Sequence, residues 1–442
     1  MYSVICFRIY KQTTRVCLSS NLKMSDCGDT SVTELRHSLL NVVKEPVVFD
    51  NMITHWEILS WDMERWASKL GDKKLPFRVG LNKATPLPQW EHECQQEKLT
   101  LYEFIKMSNF NDTEAPKQCK KWWYFDYKYM HEWFQEYPEI LQTVDWGTLG
   151  FPECGGAEST LWLGSKGAHT PCHIDVYGCN LVAQVLGRKQ WYLFPPTMND
   201  EMLPTRIPYE ESSIFSMHNF YCPSTKITQA DLSGVRVVTL NPGQVLFVPR
   251  HWWHYVENLD TAISINTWIP LEADDEARVG ESLVRLMMAM ACKSTTDPQY
   301  FLNPNEVDLP VSPLEDTLQL VQISLERHTQ NKTSEGVTTS DTHTTAEKLV
   351  STTASKEEKE DKRKIYSTIS KTALNIVPTC PVADFQQLLL DKCKNVPFDK
   401  SDSGKNCQRT LLEECLNAFC HPTVIAAVRD VLLKTDKQTN LR

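Results

Sequence analysis

The stretch Asn180-Leu-Val-Ala-Gln-Val-Leu-Gly187-Arg-Lys189-Gln-Trp-Tyr-Leu-Phe-Pro-Pro196 decides how this chain folds. It reads as two apolar strands joined by a tight turn at Gly187, with the proline pair ending the second. A second hairpin is written in Arg236-Val-Val-Thr-Leu-Asn-Pro-Gly243-Gln-Val-Leu-Phe-Val-Pro249, where Pro-Gly makes the turn. Ala262-Ile-Ser-Ile-Asn266-Thr-Trp268 follows as a further strand after the Asn258-Leu-Asp260 turn. Antiparallel strands with turns of this kind predict a mainly β domain with flanking helices, built as a double-sheet jelly roll whose mouth can hold a ligand.

Chemistry-bearing residues flank these hairpins. Thr170-Pro-Cys-His173-Ile-Asp175 places His173 and Asp175 two apart, so along a strand both point to one face. His254 ends the run Pro249-Arg-His-Trp-Trp-His254, and Pro249 stops the preceding strand so that the chain can turn toward the first pair. Two imidazoles and one carboxylate cover one side of an octahedral ion and leave positions open, the ligand set of non-haem Fe(II) oxygenases. A closed four-ligand set rich in thiolate or histidine would point to zinc instead. Lys189 begins a strand that is otherwise buried in character. Read alone, it is open between a lysine that snorkels to solvent and a buried ammonium in need of an anion. A metal-bound oxo-acid with a distal carboxylate would supply that anion, with the Thr170 hydroxyl as a further donor. His251 lies three residues before His254 and is the competing ligand candidate.

With these residues in view, the chain from about Glu45 to Leu271 resembles the cupin-type JmjC family of 2-oxoglutarate oxygenases, in the branch typified by the factor-inhibiting-HIF asparaginyl hydroxylase. The strings T-P-x-H-x-D, N-x-x-A-Q-x-x-G-x-K and F-V-P-x-x-W-W-H occur in order and at similar spacing. The resemblance implies a double-stranded β-helix of JmjC type, with His173, Asp175 and His254 as Fe(II) ligands rather than His251. It further implies that Thr170 and Lys189 hold the distal carboxylate of 2-oxoglutarate, and that Asn180, Asn266 and Tyr124 line the cosubstrate pocket. One departure is that the stretch between Asp175 and Asn180 is one residue longer than in that branch. Over its whole length, tail included, the chain is similar to family members associated with a small heat shock protein. That similarity implies a cytoplasmic protein with such a partner and a part in stress response. Three readings follow: a hydroxylase, a non-catalytic jelly-roll protein that binds its partner, and a lysine demethylase, which the lack of a zinc or chromatin-reader module beside the barrel disfavours. A protein side chain, a peptide and a modified RNA base all stay open as substrate.

The totals bound these readings. At 442 residues with 41% apolar content and 13 tryptophans, the chain holds one large domain plus smaller parts. A net charge of −10 argues against broad nucleic-acid binding. The 15 cysteines are odd in number, spread out and without a C-x-x-C pair, which disfavours a disulfide framework and zinc fingers. No apolar run approaches the roughly 18 residues of a membrane span. Residues 1–30 read as an extension ahead of an alternative start at Met24, and 31–271 as the jelly-roll domain behind an α+β lead-in. Residues 272–328 read as helices that pack on the barrel or dimerise it, 329–364 as a linker, and 365–442 as a small helical module suited to a partner. The insert 197–233 is a candidate substrate loop.

Overall fold

Alternation along each strand sorts this sequence onto two faces, and the computed structural model shows where each face goes. It describes residues 30–82, 85, 87–113, 120–223, 227, 232–335, 374–395 and 410–439. Two antiparallel sheets oppose one another. The larger runs, edge to edge, β15 (Leu374–Ile376), β1 (Val47–Phe49), β12 (Val245–Val248), β7 (Cys179–Leu186), β14 (Ala262–Ile269), β5 (Thr160–Gly164), β4 (Lys121–Tyr129), β2 (Leu75–Leu81) and β3 (Gln95–Leu99). The smaller runs β11 (Arg236–Leu240), β8 (Lys189–Phe194), β13 (Trp253–Asn258), β6 (His169–Asp175), β10 (Ser213–Ser216) and β9 (Pro204–Glu210). The hairpin read at Asn180–Phe194 thus connects one sheet to the other. Gly187 turns it at φ 63°, where an added Cβ would meet the Thr261 carbonyl oxygen at 2.1 Å.

Parity places the polar residues between the sheets. On β7, Leu181, Ala183 and Val185 face outward into a core shared with Ile263 and Ile265 of β14. Trp56, Trp66 and the N-terminal helical segments cover that core. On β8 and β13, Tyr192, Phe194, Trp253 and Tyr255 face outward into an aromatic cluster. The alternate residues Lys189, Asn180, His254, Ser264 and Asn266 are left to face inward, at the mouth of the barrel. Each fully buried apolar side chain contributes about 1.5–3 kcal/mol. The outward layers therefore hold the sheets firmly enough to bury this polar interior.

The long helix Asp274–Cys292 packs on the barrel through Val284 and Met288 and joins β9 by the buried pair Arg206–Glu281, with N···O 2.7 Å. Two expectations change here. The insert 197–233 is not only a loop, since it supplies β9 and β10 to the smaller sheet. The small module expected over 365–442 does not stand apart where it is described. Leu374–Ile376, expected as part of that helical module, is a strand that pairs with β1 at the sheet edge. The helix Val382–Asn395 then buries Phe385 and Leu389, 1% and 0% exposed, in the aromatic cluster over β8 and β13. Lys392 of the same helix bonds Glu257 and lies 3.1 Å from the Tyr255 hydroxyl. Leu416 and Cys420 pack with Ile207 and Tyr209, and Arg429 pairs with Glu276 at 2.8 Å. The outer aromatic face of the smaller sheet needs a cover, and the tail provides it. Of the linker expected over 329–364, residues 329–335 extend the helix Leu314–Glu335, and 336–364 lie outside the described residues, as do 1–29. No single described helix is long and apolar enough to cross a membrane.

Candidate metal centre and acid-binding pocket

Strand register brings the ligand candidates together. His173 on β6 lies directly opposite His254 on β13, and Asp175 follows His173 by one full pleat. The donor atoms of His173, Asp175 and His254 all lie within 4.8 Å of one another. His173 Nε2 is 3.6 Å from Asp175 Oδ1, and His254 Nε2 is 3.9 Å from Asp175 Oδ2. His173 Nδ1 sits 2.9 Å from the Pro171 carbonyl and His254 Nδ1 3.0 Å from that of Trp252. A carbonyl only accepts, so each Nδ1 donates and each Nε2 keeps its lone pair for a cation. Burial lowers the His254 imidazole to about 4 and so keeps it neutral, the form that binds metal. Burial would raise the Asp175 carboxyl, but its interactions with His173 and His254 and the Trp268 N–H bring it down to about 2, so it is ionised. His251 is not in this group.

A hydrogen-bonded chain fixes the carboxylate. Trp268 Nε1 donates to Asp175 Oδ2 at 3.0 Å, and Asn180 Nδ2 donates to the same oxygen at 3.3 Å. Asn266 Nδ2 donates to Asn180 Oδ1 at 2.9 Å, and Trp162 Nε1 to Asn266 Oδ1 at 2.8 Å. Asn180 and Asn266, which the resemblance put on the cosubstrate, line the cavity and also orient Asp175. The longer stretch after Asp175 does not take Asn180 out of reach. Trp268→Phe keeps an aromatic ring, smaller than the indole, and deletes one donor to Asp175. Metal affinity measured against a competing chelator should fall about ten- to hundredfold, and an unchanged affinity would mean that other groups orient the carboxylate.

Lys189 is 1% exposed and does not snorkel. Its Nζ donates to Ser264 Oγ at 2.7 Å and to the Tyr124 hydroxyl at 3.3 Å, and that hydroxyl also bonds Thr170. Among the described residues no carboxylate pairs with it, since the nearby Asp126 is held by Arg78 at 2.7 Å. Burial therefore lowers its ammonium to about 7. Trp191, two residues on along the same face, has no acceptor for its buried Nε1. All of these groups line one cavity of about 270 Å³. An unpaired buried cation and an unused buried donor beside an orienting carboxylate fit a metal ion and a small anionic ligand bound together.

Sequence reading missed Ser264, Trp268 and Trp191, yet parity could have found them. Ser264 and Trp268 share a face with Asn266, and Trp191 shares one with Lys189. Tyr127, Glu91 and Glu210 also line the cavity, and no local pattern marks them.

Comparisons with known proteins agree with this architecture. Residues 36–274 match the family described as cupin-like domain. HSPB1-associated protein 1 of Mus musculus is 45% identical over 288 residues, covering 62% of this chain and 59% of its own length. The HSPB1-associated protein 1 homolog of Danio rerio is 44% identical over 279 residues, 61% of this chain and 62% of that protein. Lysine-specific demethylase 8 of Xenopus tropicalis is 26% identical over 236 residues, 51% of this chain and 48% of its own. The chain thus matches about three-fifths of the length of its HSPB1-associated relatives. The antiparallel double sheet, the inward His-Asp-His set and the match over most of the barrel converge: this chain belongs to the cupin-like domain family, of JmjC type.

Proposed function

We propose that this protein is an Fe(II)- and 2-oxoglutarate-dependent oxygenase, most simply a hydroxylase. The observation that carries this reading is the pairing of an open-sided His173–Asp175–His254 set with the unpaired Lys189 ammonium in one cavity. Bound Fe(II) with the keto-acid would supply oxidation of a substrate C–H bond by O2, leaving succinate and CO2. The protein's own residues do the rest. His173, Asp175 and His254 would hold the metal, and Trp268 with Asn180 keeps the carboxylate turned toward it. Lys189, with the Tyr124 and Thr170 hydroxyls, would hold a distal carboxylate, and Trp191 covers His254 with its ring, centroids 5.8 Å apart, keeping water from that side. The test is succinate release by the anaerobically iron-loaded full chain, on admission of O2, with a panel of peptides. Release that depends on peptide and is lost in Asp175→Ala supports the oxygenase. A chain that binds metal but never consumes keto-acid favours a non-catalytic binding protein.

We further propose a small heat shock protein as partner, from the name of the HSPB1-associated relatives. The helices Leu411–Phe419 and Pro422–Thr439 present Phe419, Val428 and Val431 to solvent, a surface suited to such a contact. Purified small heat shock protein should be retained by the full chain and lost with Val428→Asp plus Val431→Asp. Retention by that variant would place the contact elsewhere, and none by the unaltered chain would remove the partner.

A further inference from the structure

Asn219, in the insert between β8 and β11, is 7% exposed and uses its hydrogen-bonding capacity in full. Its Nδ2 donates to the carbonyls of Thr85 and Leu87, each at 2.9 Å, and to the Thr85 hydroxyl at 3.2 Å. Its Oδ1 accepts from the backbone N–H groups of Tyr221 at 3.1 Å and Cys222 at 3.0 Å. Tyr221 adds a second grip, since its hydroxyl bonds Asn82 and its ring stacks on His169 with centroids 4.1 Å apart. Gln89 then closes the gripped segment on Leu81 at the end of β2, donating to its carbonyl at 2.8 Å and accepting from its N–H at 3.0 Å. The next residue, Trp90, is a wall of the cavity. Its ring meets Phe215 edge-on at 5.6 Å, and Phe215 lies 5.9 Å from the His173 ring.

The tail helix Val382–Asn395 holds the same piece of the insert from the outer side of the smaller sheet. Lys392 Nζ donates to the Phe220 carbonyl at 2.9 Å, and Cys393 Sγ lies 3.0 Å from that of Pro223. The two contacts bracket the Tyr221 and Cys222 N–H groups that Asn219 accepts. Lys392 also bonds Glu257 and sits 5.6 Å from the Tyr221 ring centroid and 4.6 Å from that of Tyr255. One ammonium therefore ties the insert to β13, the strand that carries His254. Phe385 packs against the Phe220 ring at 6.4 Å, and Phe220 stacks on Phe194 at 5.0 Å. A polar network whose members are all satisfied is rigid, and losing one member is felt by the others.

We infer that the tail helix is a strut for the cavity entrance. Its hold on Phe220 and Pro223 sets Asn219, and Asn219 sets the segment that ends in the Trp90 wall. The inference rests on the oxygenase reading only for the use to which the cavity is put. It makes the tail a control element, because a partner that draws the helix off the barrel would loosen the entrance from the opposite face of the sheet.

Fluorine NMR of the full chain carrying 5-fluorotryptophan tests this without metal or keto-acid, and Trp90→Phe identifies the Trp90 line. Lys392→Met keeps a stem against the tyrosine rings and removes the ammonium, and Asn219→Ala removes the grip on Thr85 and Leu87. Each should move the Trp90 line by at least its own width. In the double variant the second change should add nothing to the first, since both break one route. A single cooperative urea transition shows that each variant is folded. Where Lys392→Met fails that check, Lys392→Met with Glu257→Gln leaves no unpaired charge behind and carries the same test. An unmoved Trp90 line in a folded Lys392 variant, or displacements that simply add in the double variant, would overturn the inference. Coupling in a chain that binds no metal would sink the oxygenase reading alone, whereas metal binding without coupling would sink the strut alone.

Discussion

Lys189→Ala will abolish tight 2-oxoglutarate binding while leaving the metal in place. The ammonium is buried, has only hydroxyl partners, and has no carboxylate within the described structure. Truncating one side of a desolvated ammonium–carboxylate pair costs roughly 2–5 kcal/mol, a loss of about thirty- to several-thousandfold in affinity. Calorimetry on the Mn(II)-loaded chain measures it, and equal affinity in the two proteins would remove Lys189 from the site. The same residue sets a pH dependence. In the ligand-free pocket burial lowers its ammonium to about 7, and only the charged form pairs with a carboxylate. Affinity should therefore be flat below that pH and weaken as pH rises above it, with a proton taken up on binding. Buffers of different ionisation enthalpy reveal that proton. A Lys189 that stays charged in the empty pocket would show neither effect.

Phe385→Ala will destabilise the whole barrel. Phe385 is 1% exposed and meets the Tyr192 and Phe194 rings at 5.2 and 5.8 Å, far away in sequence. Emptying a site of this size costs about 3–5 kcal/mol, and urea unfolding followed by tryptophan fluorescence should report it in a single transition. If the tail were a module tethered apart from the barrel, the substitution would leave the barrel's transition where it was. The structure also qualifies any truncation meant to isolate the tail. A chain ended before residue 374 loses the edge strand and uncovers the aromatic face of β8 and β13.

The barrel and its metal site could be read from the sequence because both rest on local rules. A strand alternates with period two, so once Leu181, Ala183 and Val185 are assigned outward, Asn180 and Val182 must point in. The same parity carries Lys189, His254 and Asn266 to one interior. What was misread depends on long-range pairing. Leu374-Asn-Ile376 is too short to declare itself a strand, and it becomes one only because β1 offers an open edge. The polar stretch before it describes its own composition and says nothing of whether the following helix docks. A sign was nevertheless available: Tyr192, Phe194, Trp253 and Tyr255 point away from Lys189 and His254, so the smaller sheet carries a second apolar face that something must cover. The outer lining of the cavity was illegible for another reason. Glu91, Tyr127 and Glu210 come from three separate segments, and one of them is aimed by an irregular ladder step that no periodicity announces.

Whether the two histidines and the aspartate hold a metal decides the function of this barrel. Elemental analysis of the anaerobically reconstituted full chain, beside the double variant His173→Ala with Asp175→Ala, measures this directly. One Fe(II) per chain in the unaltered protein and none in the double variant is the predicted result. Equal metal content in the two would contradict the account and move the site elsewhere.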